Sequence, residues 1–166
     1  MTALIFDGPE ATGKSNLIAA LQEVIPGSRI RKWGPVASWG EYVHPLLEDM
    51  ESEEVVLWDR SWASELVYND LMNRGRTVKS HQLRYVLELP LLHRGGLMFM
   101  VLTPPSVLEA RRLEREPGID LEVDPVLEWK AFDYYARAHN WVVLSGQGGT
   151  GANISAIQEL RNQRNG

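Results

Sequence analysis

Cysteine is absent from this chain of 166 residues. Without thiols there is no disulfide framework, no thiolate zinc site and no cysteine nucleophile, so several kinds of chemistry are excluded at once. The absence does not by itself identify a cellular compartment. The four histidines show no metal-binding spacing with acidic residues, so we do not expect a histidine-based metal centre.

Long apolar runs are also missing. The run Leu97–Leu102 is far too short to cross a bilayer, and the apolar start Met1–Phe6 carries no basic leader of the kind found in secretory signals. The formal net charge of −5 gives no general attraction to a polyanion, so nucleic acid would need a local basic patch. We expect a single soluble, cytoplasmic domain over residues 1–166 that has no membrane partner.

A glycine-rich motif stands near the N-terminus. It begins at Gly8, fits the pattern G-x-x-x-x-G-K-[ST] and directly follows the apolar stretch Ala3–Phe6. Leu17, Ile18 and Leu21 then recur at helical spacing. A strand, a glycine loop and a helix N-terminus in this order form a cradle of backbone N–H groups for phosphates. The predicted nucleotide contacts are Gly8, Pro9, Glu10, Ala11, Thr12, Gly13, Lys14 and Ser15.

The motif assigns roles to two of these side chains, and a second segment supplies an acid. Lys14 should reach the β- and γ-phosphates, while Ser15 should help to coordinate a Mg²⁺ ion held mainly by phosphate oxygens and water. Asp59 follows the apolar segment Val55–Trp58, where it would bind Mg²⁺ directly or through water. Arg60 comes next rather than a water-activating Glu, and no Asn-Lys-x-Asp guanine signature occurs, so phosphoryl transfer is favoured over hydrolysis.

Five apolar segments predict the strands of one sheet. Three are nearly continuous apolar runs, which is typical of parallel strands covered by helices on both faces. Their alternation with helical segments indicates an α/β fold, a three-layer, doubly wound sheet of about five parallel strands. The predicted strands are Ala3–Phe6, Ser28–Trp33, Val55–Trp58, Leu97–Leu102 and Trp141–Ser145. The predicted helices after the glycine loop's own helix are Trp39–Met50, Trp62–Asn73, Lys79–His93, Ser106–Arg115, Pro125–His139 and Ala152–Leu160.

The segment that begins with Asp59 and Arg60, DRSWASELVY, resembles the thymidylate kinase motif D-R-[YH]-x-x-S-x-x-A-Y-Q. Its Asp, Arg, Ser and Tyr fall at the spacings of that motif. The resemblance implies a P-loop nucleotide kinase fold in which Arg60, Ser64 and Tyr68 contact the acceptor. It favours a pyrimidine acceptor, and a homodimer is one oligomeric state left open.

A lid is predicted at about residues 111–124. In bacterial thymidylate kinases an acidic loop residue, here Glu10, goes with basic residues of the lid, and this chain has Arg111, Arg112 and Arg115 there. Because Arg111 and Arg115 are one helical turn apart, both could face one phosphate group as catalytic cations, while Arg112 would bind the nucleotide. The alternative is a solvated helix face on which these arginines pair with neighbouring glutamates.

Two departures from the thymidylate kinase pattern leave open whether the acceptor already carries a phosphate. Ser61 makes the turn resemble the Glu/Asp-Arg-Ser turn of deoxynucleoside kinases, whose carboxylate acts as a base toward a sugar hydroxyl. The Arg-Glu-Pro segment that helps to hold a monophosphate acceptor has no counterpart after the second strand. There Arg31 and Lys32 either replace the missing phosphate contacts or cap a strand end. Among helical aromatic residues, Trp39 is a candidate for stacking on a base.

These observations favour an ATP- and Mg²⁺-dependent kinase for a deoxynucleoside or its monophosphate. Lys14, Arg60 and the lid arginines would neutralise charge, and Asp59 would activate a hydroxyl or help to hold the metal. One alternative is a kinase acting on a hydroxyl of nucleic acid, either a strand end or a hydroxymethylated base. A basic groove of Arg29, Arg31, Lys32 and Arg84 beside Asp59 would favour it. Another is a nucleotide-binding module without catalysis. We interpret the glycine-dense segment 146–151 as a flexible turn into the last helix, with a ligand-contacting loop as the alternative.

Overall fold

The computed structural model describes residues 3–36, 38–75, 80–118 and 121–165. Five strands form one parallel sheet in the order β2-β3-β1-β4-β5. The strands are β1 (Ala3–Asp7), β2 (Arg29–Lys32), β3 (Val56–Asp59), β4 (Leu97–Leu102) and β5 (Val142–Ser145). The predicted five-stranded doubly wound α/β architecture is therefore confirmed.

Eight α-helices alternate with these strands along the described chain. They are α1 (Lys14–Val24), α2 (Val43–Glu51), α3 (Trp62–Leu71), α4 (Ser80–Leu83), α5 (Leu89–His93), α6 (Pro105–Arg115), α7 (Pro125–His139) and α8 (Thr150–Asn165). A 3₁₀ turn (Trp39–Tyr42) precedes α2, and a π-helical turn (Arg84–Glu88) joins α4 to α5. Among the helices described, none combines the length and apolar character needed to cross a membrane.

Side chains of the central strands alternate between two apolar clusters, one on each face of the sheet. In β1, Ala3 and Ile5 join the cluster that includes side chains of α2, α3 and α7. Leu4 and Phe6 join the cluster that includes side chains of α1 and α8. All five residues of β1 are buried because helices cover both faces. This explains why the strand is a continuous apolar run rather than an alternating one.

Two predicted helices are divided. The predicted helix Trp39–Met50 begins as the 3₁₀ turn, where Ser38 and Glu41 form a reciprocal capping box, and continues as α2. The start of the predicted helix Lys79–His93 lies outside the described residues, and its middle is the π-helical turn. Pro90 lies just after that turn, and its lack of a backbone N–H removes one donor from the regular α-helical ladder.

Candidate active site

The phosphate-loop motif lies between β1 and α1, as the sequence predicted. Gly8, Ala11 and Gly13 have positive φ angles of 136°, 64° and 92°, so the chain reverses direction repeatedly before entering α1 at Lys14. Gly8 also lies against β4, where a Cβ would overlap the backbone carbonyl oxygen of Val101. The loop therefore depends on glycine both for its backbone conformation and for its close packing.

Asp7 anchors this loop, although sequence reasoning did not single it out. Its fully buried carboxylate accepts hydrogen bonds from the backbone N–H of Gly8 (2.8 Å), the hydroxyl of Ser61 (2.6 Å), and both the N–H (3.0 Å) and the hydroxyl (2.5 Å) of Ser64. These bonds join the end of β1 to the first turn of α3. The only sequence signal was an acid at the end of a buried strand.

Lys14 points back over the loop that precedes it. Its ammonium donates to the carbonyl oxygens of Gly8 (2.9 Å) and Pro9 (2.8 Å) and to the hydroxyl of Thr12 (3.4 Å). Burial, reinforced by the nearby positive charge of Arg60, lowers the pKa of Lys14 to about 8. The loop thus holds a buried cation at the place where the motif predicts phosphate groups.

The two predicted metal-binding side chains meet across the sheet edge. The hydroxyl of Ser15 at the start of α1 donates to the carboxylate of Asp59 at the end of β3, at 2.8 Å. A hydroxyl and a carboxylate fit the hard oxygen ligands that Mg²⁺ requires. Within the described residues no group of three or more His, Cys, Asp or Glu side chains could hold a metal. This donor set therefore fits an ion that takes its other ligands from phosphate and water.

Arg60 adopts an uncommon backbone conformation directly after β3. Its φ is 75°, in the left-handed region that non-glycine residues rarely occupy, and its N–H donates to the carbonyl of Phe6 at 2.9 Å. Its guanidinium donates to the hydroxyl of Ser64 at 3.3 Å. Burial opposes the charge of Arg60, but Asp7 and Tyr68 outweigh it and raise the pKa of the guanidinium. Arg60 therefore remains a fixed cation.

Two adjoining cavities open around this arginine. The smaller one, of about 190 Å³, is lined by phosphate-loop residues 10–15 together with Lys32 and Asp59. The larger one, of about 630 Å³, includes Tyr42, Ser64, Tyr68 and Glu128 in its lining. The residues that line both cavities are Glu10, Trp33, Arg60 and Arg115. A donor triphosphate in the smaller cavity and an acceptor in the larger one would meet at these shared side chains.

The three arginines predicted for the lid lie in different surroundings. Arg111 donates to the carbonyl oxygens of Ala11 (3.0 Å) and Gly146 (3.3 Å), and so it braces the phosphate loop. Arg112 lines the larger cavity, and Arg115 lines both. The expected pairing of Arg111 with Arg115 over one phosphate is not the arrangement in this structure. Residues 119 and 120 of the predicted lid lie outside the described residues.

Glu128 connects α6 to the wall of the larger cavity and was not among the predicted site residues. It is 1% exposed, accepts a hydrogen bond from the phenol of Tyr68 and pairs with the guanidinium of Arg112 at 2.6 Å. Arg112 also donates to the backbone carbonyl of Glu10 at 3.2 Å. Burial and the neighbouring Glu128 raise the pKa of Tyr68, so its phenol stays protonated. These contacts link α3, α6 and α7 to the phosphate loop.

Two predicted acceptor contacts, Arg31 and Trp39, are engaged elsewhere, and a third, Ser64, lines the larger cavity. The guanidinium of Arg31 is bound to the carboxylate of Asp49, with contacts of 2.7 Å and 2.8 Å. Trp39 packs, half-buried, against the main core cluster. The hydroxyl of Ser64 is engaged with Asp7 and Arg60 on the cavity wall, so it positions Arg60. The aromatic residue at the junction of the two cavities is instead Trp33, which follows β2.

The glycine-dense segment after β5 is packed at its first residue, which differs from the interpretation as a simple flexible turn. Gly146 donates to the carbonyl of Leu102 at 2.7 Å. A Cβ on Gly146 would overlap the hydroxyl of Thr103 and the carbonyl oxygen of Thr12. Close backbone approach therefore explains a glycine at this position, next to the phosphate loop.

Several solved structures are similar to this chain over nearly its whole length. The YorR protein from Bacillus subtilis, solved in complex with phosphorylated GDP, matches with a TM-score of 0.74 and 18% sequence identity, covering 95% of this chain and 94% of that chain. This chain therefore shares the three-layer α/β fold of that structure. Deoxyadenosine kinase from M. mycoides with bound dCTP matches with a TM-score of 0.61 and 16% identity, covering 98% of this chain and 100% of that chain.

A third neighbour is thymidylate kinase from Candida albicans, with a TM-score of 0.60 and 11% identity over 98% of this chain and 92% of that chain. No protein-family model and no curated protein sequence matches the chain. The shared property is therefore the three-dimensional fold, and the identity of the acceptor has to be argued from the side chains at the site.

Proposed function

We propose that this chain transfers the γ-phosphoryl group of ATP to a nucleoside or a nucleoside monophosphate. The contact that supports this most directly is the 2.8 Å hydrogen bond from Ser15 to Asp59. It brings the phosphate-loop hydroxyl and the strand-end carboxylate together beside a second, larger cavity. A nucleotide-binding module that never transferred phosphate would have no need of an acceptor cavity joined to the phosphate loop.

In the proposed reaction the bond from the γ-phosphorus to the β,γ-bridging oxygen breaks, a bond to an acceptor oxygen forms, and ADP leaves. Lys14, Arg60 and Arg115 surround the smaller cavity and would neutralise the charge that spreads over the phosphoryl oxygens. Ser15 and Asp59 would hold Mg²⁺, which when bound neutralises charge on the donor phosphates. The loop N–H groups and the bracing contacts of Arg111 and Arg112 would hold the donor in place.

The acceptor would occupy the larger cavity, with Tyr68 on its wall. The thymidylate-kinase-like spacing from Asp59 to Tyr68 favours a pyrimidine there. If the acceptor oxygen is a hydroxyl, Asp59, which lines the adjoining smaller cavity, would take its proton. A phosphate oxygen is already ionised and needs no strong base.

A nucleic-acid acceptor is not favoured by the described side chains. The basic groove that would support it needs Arg29, Arg31, Lys32 and Arg84 together beside Asp59. Arg29 and Arg31 are instead paired with Asp49, and Arg84 donates to the carbonyl of Ala138 at 3.1 Å. Of these four residues, only Lys32 lines the smaller cavity.

A radiolabelled-ATP transfer assay tests the proposal. The acceptor panel contains nucleosides, their 5′-monophosphates, and plain and hydroxymethylated DNA, with Mg²⁺ present. We expect label in a nucleoside or nucleotide product and loss of at least 100-fold in kcat/KM for Lys14→Ala, since the variant lacks a cation at the transferring group. The variant should retain wild-type circular dichroism. Near-normal turnover by Lys14→Ala, or ATP binding without product from any acceptor, would contradict the proposal.

A further inference from the structure

Glu88 is a buried acid within an apolar segment. It is 1% exposed and ends the π-helical turn, between the apolar residues Leu87 and Leu89. The N–H of Leu89 donates to the carbonyl of Arg84, five residues earlier, which is the hydrogen bond that defines a π-turn. Such turns occur frequently at functional sites. Because a buried carboxylate is costly unless it accepts hydrogen bonds, the partners of Glu88 indicate its role.

Four side chains contact the Glu88 carboxylate. One oxygen, Oε1, accepts from the indole N–H of Trp62 (3.1 Å), the phenol of Tyr135 (2.7 Å) and the indole N–H of Trp141 (3.1 Å). The ring Nδ1 of His139 lies 2.6 Å from the other oxygen. Trp62 begins α3, two of the other partners lie on α7, and Trp141 directly precedes β5. One carboxylate therefore ties the π-turn to α3, to α7 and to the start of β5.

Among these partners, Trp62 is the one that adjoins the candidate active site. It directly follows Arg60 and Ser61, and its side chain is fully buried. Ser61 is the N-cap residue of α3, and its hydroxyl donates to Asp7 at the end of β1. Asp7 thus holds the first turn of α3 from the sheet. The bond from Trp62 to Glu88 holds the same turn from the opposite partner, the π-turn.

Arg60 lies two residues before Trp62 and lines both cavities, so its guanidinium moves with the first turn of α3. We propose that Glu88 is a positioning residue for phosphoryl transfer, which acts through the indole of Trp62 to hold Arg60 at the junction of the two cavities. Glu88 itself lines neither cavity. A misplacement of about 1 Å at a reacting group can cost about 100-fold in rate. This inference rests on the proposed function.

Trp62 and Trp141 provide a matched pair of variants. Both side chains are buried, and each donates one 3.1 Å hydrogen bond to the same oxygen of Glu88. Trp62→Phe and Trp141→Phe each remove one such bond and leave an aromatic ring in the core, so both should lower the melting temperature. We expect Trp62→Phe to lower kcat by about tenfold or more, and Trp141→Phe to stay within about twofold of wild type. Equal losses of kcat in the two variants would overturn the inference.

Two substitutions of Glu88 separate the reach of its side chain from its charge. Glu88→Asp keeps a carboxylate but withdraws it by one methylene from Trp62, and it should lower kcat about as much as Trp62→Phe. Glu88→Gln keeps the length and an acceptor oxygen, and its amide can donate to Nδ1 of His139, so it should retain most of kcat. In the double variant Glu88→Asp/Trp62→Phe, kcat should stay within about twofold of the Trp62→Phe value. Additive losses would contradict an action through Trp62.

A measurement on the free protein keeps this inference separate from the transfer reaction. The NMR signal of the Arg60 Nε–H, assigned by its loss in Arg60→Lys, reports the surroundings of the guanidinium without any substrate. We expect the signal to shift in Glu88→Asp and to stay near its wild-type position in Glu88→Gln. An unchanged signal in Glu88→Asp would overturn the inference. If wild type transfers phosphate to no acceptor, the proposed function fails, whereas a shift confined to Glu88→Asp would still support the positioning of Arg60 by Glu88.

Discussion

At the scale of single residues, Lys14 is a buried cation next to the cavity at the phosphate loop. Its side chain is buried, and its ammonium donates hydrogen bonds to the carbonyl oxygens of Gly8 and Pro9 in the phosphate loop. The same burial, with the adjacent Arg60, lowers its pKa to about 8. A bound triphosphate would favour the charged form, since opposite charge raises the pKa of an ammonium. Nucleotide binding and protonation of Lys14 are therefore coupled.

We expect the affinity for ATP to fall as the pH rises through about 8, where Lys14 of the free protein loses its proton. Binding above that pH should take up protons, up to one per ATP, because the phosphates restore the charged form. Calorimetry in two buffers with different ionisation enthalpies measures this uptake directly. A Lys14→Arg variant should bind without it, because arginine stays protonated. Proton release on binding, or uptake that persists in Lys14→Arg, would contradict the coupling.

The same pKa shift has the opposite effect on folding stability. In the ligand-free protein the folded pKa of Lys14 is about 8, whereas the unfolded value is close to the ordinary 10.5. Between these values the unfolded chain binds more protons, so the contribution of Lys14 to stability rises with pH over that interval. Above pH 8 the free energy of unfolding measured without ATP should therefore rise with pH, while the affinity for ATP should fall.

At the scale of secondary-structure elements, the phosphate loop is supported by elements distant in sequence. Arg111 of α6 reaches the carbonyl of Ala11, and Thr103, just after β4, donates to the carbonyl of Thr12 at 3.3 Å. Gly146, directly after β5, packs against that same carbonyl of Thr12. The loop conformation therefore depends on contacts that assemble only when β1, β4 and β5 are adjacent.

Gly146→Ala should weaken ATP binding by at least about tenfold, because its Cβ would displace Thr103 or the Thr12 backbone. Gly149→Ala is the matched control, since a Cβ there meets nothing within 4 Å. Fluorescent-nucleotide titration would compare the two variants, and urea denaturation would report their stability. We expect Gly149→Ala to bind like wild type. Equal affinities of the two variants would show that close packing at Gly146 does not support the loop.

At the scale of the whole molecule, a net charge of −5 coexists with a cationic cavity. Fixing charges of one sign around a cavity disfavours the empty state, and an anionic ligand relieves that repulsion. Away from this site, a buried carboxylate also joins several elements. Glu88 accepts from Trp62 and Trp141 at 3.1 Å each and from Tyr135 at 2.7 Å.

We expect ATP with Mg²⁺ to raise the melting temperature of the protein by about 5–11 °C when ATP is present at about 100 times its Kd. Binding to the folded state alone contributes about 2.7 kcal/mol under that condition, and each kcal/mol shifts the melting temperature of a domain this size by about 2–4 °C. Adding EDTA to the same ATP concentration should remove part of the shift. Scanning fluorimetry measures it, and an ATP-independent melting temperature would argue against nucleotide binding.

The sequence predicted the site best where the chemistry depends on adjacent residues. The backbone of the phosphate loop follows from a contiguous motif, and the Ser15–Asp59 contact follows from placing both residues at the carboxyl edge of a parallel sheet. Asp7 and Glu128 were missed because nothing around them in the chain distinguishes a buried acceptor from an ordinary acid. Each also depends on a distant partner: Ser61 lies 54 residues from Asp7, and Tyr68 lies 60 residues from Glu128.

By itself the sequence determined the doubly wound class, the five strands and the phosphate loop, because hydrophobic periodicity and glycine spacing act over short stretches of chain. Only the tertiary structure decided which cations face the site. Arg31 and Lys32 are adjacent in the chain and alike in charge, but the pleat of β2 turns one toward Asp49 and the other toward the phosphate loop. That choice depends on where α2 and β3 pack, which no local pattern specifies.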